Sequence, residues 1–141
     1  MKTSNVLLFL VLGTLFWLNA ALIIRFFGAA VFTEHNLWLI LFYVLAIPLT
    51  LASLYLTKII GRLPYEELLK PVVIITFAAT FLDAIAMTWF RSLYSESFEV
   101  AFHGAAWILW GVGLGLLFSY YLNQRTIGVR ALSKSFFESI I

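Results

Sequence analysis

Four long stretches with almost no charge leave this chain a single environment in which to fold. Residues 3–24 and 35–57 carry no Asp, Glu, Lys or Arg over 22 and 23 positions, and residues 102–124 carry none either. Residues 71–90 hold one, Asp83. About 20 apolar residues at 1.5 Å each cross a hydrocarbon core about 30 Å thick, so each stretch passes the length test for a membrane-spanning helix. The remaining composition agrees. With 63% hydrophobic and 11% charged residues over 141 positions, the chain has too few charges to clothe a water-facing surface, for which about 25% is usual. A soluble enzyme, a disordered tail and a disulfide-stapled secreted module are thereby excluded. The absence of cysteine removes thiolate metal sites and iron–sulfur clusters as well.

The fold expected is all-α: an integral membrane four-helix bundle over residues 1–122, with spans near 6–24, 37–57, 71–90 and 100–122. A cytoplasmic tail, 123–141, follows. The first span has a rival reading, because Lys2 followed by an apolar run resembles a secretory signal peptide. A cut after Ala20 would place Leu18 where a small residue is wanted, so a retained helix is the better expectation. Four spans put both ends and the middle loop on one side. That side carries Lys2, Lys58, Arg62, Lys70, Arg125, Arg130 and Lys134, against Arg25 and Arg91 on the other. Basic residues collect on the cytoplasmic side, so both termini are expected there. Trp38, Trp89, Trp107, Tyr43, Tyr94, Tyr120 and Tyr121 fall mostly near span ends, where amphipathic rings favour the headgroup level.

Three features punctuate this plan. Pro48 sits mid-span and deprives the Val44 carbonyl of its helical donor, which predicts a bend and a candidate hinge. Pro64 suits the first turn of a short helix leading into the third span. In the tail, Val129, Leu132, Phe136 and Ile140 recur at three- and four-residue spacing opposite Arg130, Lys134 and Glu138. That pattern predicts an amphipathic helix lying in the interface after Gly128.

Asp83 is the one ionisable residue well inside a span. Twelve positions past Pro71 place it about 18 Å into the core, where a lipid-facing carboxylate costs about 2.5–3.5 kcal/mol. It must therefore face the bundle interior, be paired or be protonated. Asn19 and His103 lie at similar depth on other spans, with Arg25 and Arg91 nearer the loops, and Glu99 stands one turn from His103. The expectation is a polar intramembrane cluster of Asp83, Asn19, His103, Arg25 and Glu99. Its role is either structural, fixing which helix neighbours which, or that of a proton or cation site. His103 alone is a poor metal signal, and no metal site is expected; as a single axial ligand it would suffice for a pigment.

On the fourth span Gly104, Gly111, Gly115 and Ser119 form a small-residue row that lets helix backbones approach closely. The row predicts packing against another helix of the chain, for instance at Gly13, Ala20 or Ala21, against a second copy or against another subunit.

The residues Arg25 and Gly28, Pro48, Leu82-Asp83-Ala84, and Trp107, Trp110 and Gly111 give the stretch from Leu7 to Leu122 a resemblance. It resembles a bacterial family of small four-helix membrane proteins of unassigned function. The resemblance implies topology and a bacterial inner membrane, and it carries over no binding or catalytic residue.

No nucleophile–base pair, phosphate loop or metal motif is present, so an enzyme is not expected. The leading function is a non-catalytic helical subunit or scaffold within a membrane complex. A small proton- or cation-coupled transporter centred on Asp83, working as a dimer, is the alternative. A pigment- or lipophile-binding subunit using His103 is a third. The partners expected are the lipid bilayer and a second copy or other membrane subunits, with no nucleic acid. No cofactor is expected, and a bound lipid or pigment stays open.

Overall fold

A computed structural model of the chain describes the backbone of residues 3–138, and side chains over 5–129 together with Leu132 and Ser133. It is all-helical, with four long helices: α1 (Thr3–Val31), α2 (Leu37–Gly61), α3 (Leu69–Trp89) and α4 (Phe98–Glu138). Each contains a window long and apolar enough to cross a membrane. The chain is therefore a membrane-type four-helix bundle. Most of its large apolar side chains point outward, Phe26, Leu37 and Trp89 among the most exposed. Outward-facing apolar residues are the surface that acyl chains require.

The helix boundaries follow local chemistry. Asn36 caps α2: its side-chain oxygen accepts from the Trp38 N–H at 3.0 Å, while its amide donates to the Ala30 carbonyl at 2.7 Å. One residue thus ends the first turn-out and starts the next helix. At the far end of α2, Arg62 takes the left-handed conformation (φ 50°), and the Leu63 N–H reaches back to the Lys58 carbonyl at 3.0 Å. Glycine usually fills such a position because a Cβ is unfavourable there. Pro64 then introduces a 3-10 helix at Tyr65–Glu67, shorter than the helix expected from the sequence. α2 runs through Pro48 without a break. One turn past the proline, the Ser53 hydroxyl donates to the Leu49 carbonyl at 3.0 Å.

α4 does not end at Gly128. Its 41 residues correspond to about 60 Å, enough to cross a core about 30 Å thick and continue as far again. A lone glycine costs an exposed helix only about 1 kcal/mol, so it does not compel a stop. The tail expected as a separate helix is continuous with α4. Val129 and Leu132 on its apolar stripe are exposed. The side chains of Arg130, Lys134, Phe136 and Glu138, and Ile140 altogether, lie outside the described residues.

Two packing zones hold the bundle. α1 lies closest to α3 at Gly13, where an added Cβ would sit 2.6 Å from the Ile75 carbonyl oxygen and 3.0 Å from the Ala78 Cβ. Phe9, Leu12 and Ile75 are buried beside this crossing. Nearer the α1–α2 and α3–α4 loops, Ile24, Phe32, Tyr94, Val100 and Trp107 form the larger core. There the rings of Phe32, Phe42 and Trp107 meet with centroids 5.6–6.2 Å apart. The Trp107 indole donates to the Phe42 carbonyl at 2.9 Å, and Trp110 to the Tyr43 carbonyl at 3.1 Å. Both acceptors lie on α2 shortly before Pro48. Trp107, read from the sequence as a headgroup ring, is instead a buried strut between α2 and α4.

Candidate functional site

Asp83 lies on α3, six residues before its end at Trp89, or about 9 Å along the axis. It is half-buried and turned toward the other helices. Its partner comes from the α3–α4 connection. After a 3-10 turn at Arg91–Leu93 the chain folds back, and Tyr94 drops into the bundle with no exposed surface. The Tyr94 hydroxyl donates to Asp83 Oδ1 and accepts from Trp17 Nε1 on α1 at 2.8 Å. A relay Trp17→Tyr94→Asp83 therefore links α1, the loop and α3. Its direction is set by chemistry, because an indole can only donate and a carboxylate only accept. Burial, together with the hydrogen bond to Asp83 and its charge, raises the Tyr94 hydroxyl above the ordinary tyrosine value, so it stays a donor.

The cluster expected from the sequence comes together only in part. Arg25 does not reach Asp83. Its guanidinium donates to the Ser92 carbonyl and sits 3.9 Å from Glu96, both in the α3–α4 connection. The long side chain extends toward the loops, where its charge meets water, and so it anchors the segment that carries Tyr94. Glu99 faces the first loop and accepts from the Glu34 backbone N–H at 2.7 Å. His103 is half-buried with its ring edge-on to Phe102, centroids 5.5 Å apart, and lies off the cavity described next. Asn19 shares that cavity with Asp83 without bonding to it. Among the described residues no three His, Asp or Glu side chains gather at metal-binding distance.

Below Asp83, on the side away from Tyr94, the four helices line a laterally open cavity of about 290 Å³. α1 supplies Phe16, Trp17 and Asn19; α2 supplies Thr50, Ser53 and Thr57; α3 supplies Thr76 and Asp83; α4 supplies Trp107, Gly111 and Gly115. Wall residues Asn19, Leu49, Ala52 and Leu56 are themselves exposed, so the mouth lies along α1 and α2. At the loop end, Tyr94 and Phe32 are fully buried and close the bundle.

The small-residue row on α4 divides between packing and cavity. Gly104 meets Ile24 of α1, where a Cβ would come within 2.9 Å, and Ser119 is fully buried. Gly115 has the Thr50 methyl at 3.7 Å, and Gly111 has nothing within 4 Å. Gly13, expected opposite this row, packs on α3 instead. Gly111 and Gly115 thus widen the cavity, and the close α1–α4 approach belongs to Gly104.

Tyr94 is the site residue that the sequence reading misplaced at the headgroups. A signal existed: the connection between α3 and α4 is only eight residues, 90–97, and must double back over the helix ends. Tyr94 is its one residue that joins a large apolar body to a hydroxyl donor.

Fold and site together define a four-helix membrane bundle with a carboxylate on the wall of a laterally open cavity. Set beside known protein families, characterised proteins and solved structures, the chain matches none of them.

Proposed function

We propose that this chain is a small carrier of the membrane in which Asp83 takes up a proton or another cation inside the four-helix cavity. The observation that carries the reading is the position of the one intramembrane carboxylate on the wall of a cavity to which every helix contributes. An ionisable side chain at depth is costly and normally marks a pathway or a binding site. A largely apolar cavity with a few convergent polar groups is the usual form of a small-molecule site. A purely structural Asp83 would need no cavity beside it.

The topology proposed with this function has both termini in the cytoplasm, on the seven-to-two distribution of basic residues. The resemblance of residues 7–122 favours a bacterial inner membrane. On this topology the cavity opens laterally toward the acyl chains between α1 and α2, and Tyr94 stops it on the outer side. No catalytic step is assigned. Gly111 and Gly115 of the small-residue row lie on the cavity wall, where they fit a solute as well as they fit a packing helix.

The test is flux. Purified protein is reconstituted into vesicles with an imposed pH gradient and an internal pH dye, and permanently charged cations are added outside: sodium, potassium, guanidinium and benzylguanidinium. The proposal requires that at least one of them discharges the gradient with wild-type protein and not with Asp83→Asn, the variant still running as a folded species in detergent. Gradient discharge by the two proteins at equal rates for all four cations would refute it.

A further inference from the structure

We propose that the solute recognised in this cavity is an apolar organic cation carrying N–H donors, a protonated amine or a guanidine with a hydrocarbon body. The inference rests on the carrier reading above and adds the chemical class.

Three observations point to it. The first is the balance of donors and acceptors on the wall. The indole donors are already committed, Trp17 to Tyr94 and Trp107 to the Phe42 carbonyl. The hydroxyl protons of Ser53 and Thr57 are likewise committed, to the carbonyls of Leu49 and Ser53 at 3.0 and 2.8 Å. Those hydroxyl oxygens keep lone pairs, and a carboxylate offers about four acceptor positions, of which the Tyr94 hydroxyl fills one. Asn19, Thr50 and Thr76 on the same wall can each donate or accept, so the one charged group left for a ligand is the acceptor Asp83.

The second is charge. Among the described residues no Lys, Arg or His lines the cavity, so an anion would find no partner and would be repelled by Asp83. The Trp17→Tyr94→Asp83 relay directs donors at the carboxyl from the loop side and leaves the cavity side for a ligand's cation. The third is the wall itself. Phe16, Trp107, Ala46 and Ile108 present rings and methyl groups to a space of about 290 Å³, roughly ten water volumes. A bare metal ion would have to shed its water against those groups. An organic cation brings its own apolar surface, and its charged group over the face of a wall tryptophan adds cation–π attraction.

Calorimetric binding in detergent uses one matched series: benzylguanidinium, benzyltrimethylammonium, benzyl alcohol and benzoate. Wild-type protein should bind benzylguanidinium at least tenfold more tightly than the alcohol, show no binding of benzoate, and bind the donor-free quaternary cation more weakly than the guanidinium. Asp83→Asn should lose tenfold or more. Gly111→Leu serves as a second variant, because a Cβ there has no atom within 4 Å and the longer side chain is aimed to take up cavity space. It should bind benzylguanidinium at least tenfold more weakly while melting at the same or a higher temperature.

Equal affinity for guanidinium and alcohol, or undiminished binding by a folded Gly111→Leu, overturns the organic-cation assignment. Equal affinity for the quaternary compound overturns the requirement for N–H donors. The two levels separate cleanly: if sodium or potassium drives Asp83-dependent flux and benzylguanidinium does not bind, the solute class falls and the carrier reading stands. If no cation drives Asp83-dependent flux, both fall.

Discussion

Replacing Tyr94 by Phe removes one oxygen and nothing else of the ring's volume, yet that oxygen sits between two helices. It accepts from Trp17 Nε1 at 2.8 Å and donates to Asp83. Hydrogen bonds between neutral groups across membrane helices contribute about 0.6 kcal/mol on average, whereas bonds to a charged group reach about 1.5–3 kcal/mol. Because Tyr94 is fully buried, no water replaces the lost hydroxyl. Tyr94→Phe should therefore cost about 2 kcal/mol in reversible unfolding from mixed micelles. In an Asp83→Leu background the carboxyl partner is already gone, and the same substitution should cost only the Trp17 bond, about 0.6 kcal/mol. The coupling of about 1.4 kcal/mol is a factor of ten in the unfolding equilibrium and well within reach of a double-mutant cycle. Additive costs, with no coupling, would refute the relay as described.

Other outcomes follow from the same geometry. The raised Tyr94 hydroxyl adds stability that is complete below the ordinary tyrosine value of about 10 and is lost as the pH rises above it. Alkaline unfolding should accordingly be shallower for Tyr94→Phe than for wild type. Gly13→Ala pushes a methyl against the Ile75 carbonyl and Ala78 and should cost about 1–3 kcal/mol, measured as a lowered melting temperature in detergent. Arg62→Gly relieves a left-handed residue at the end of α2 and should raise stability by up to about 1 kcal/mol in the same assay. Trp107→Phe keeps the ring cluster and drops the bond to the Phe42 carbonyl; a loss of about 1 kcal/mol is expected, and no change would deny the indole its role as a strut.

The spans were readable because hydropathy is a property of the run itself: any helix built from residues 3–24 or 35–57 must meet lipid. The same reasoning placed Asp83 at depth and turned it inward, since the alternative is a carboxylate in hydrocarbon. Its partner was not readable from depth and periodicity. Arg25 and Asn19 are near in depth, but depth fixes only one coordinate, and rotation about each helix axis decides which side chains meet. Tyr94 reaches Asp83 through a loop whose fold-back no periodicity encodes. Trp107 shows the same limit, as its position near a span end fits a headgroup ring and a buried strut alike. The row Gly104, Gly111, Gly115 and Ser119 looked uniform in the sequence, yet Gly104 meets Ile24 and Gly111 faces open space. Small residues permit close approach without saying whether a helix or a cavity takes the room.

Asp83 is the only aspartate in the sequence, so a single isotope label reports on the candidate site alone. The most direct measurement is the carboxyl carbon resonance of aspartate-labelled protein in lipid nanodiscs, titrated with benzylguanidinium. A cation-binding carboxylate in this cavity predicts a saturable shift of that resonance, much reduced in Gly111→Leu. A resonance that stays in place through a hundredfold range of added cation would contradict the account.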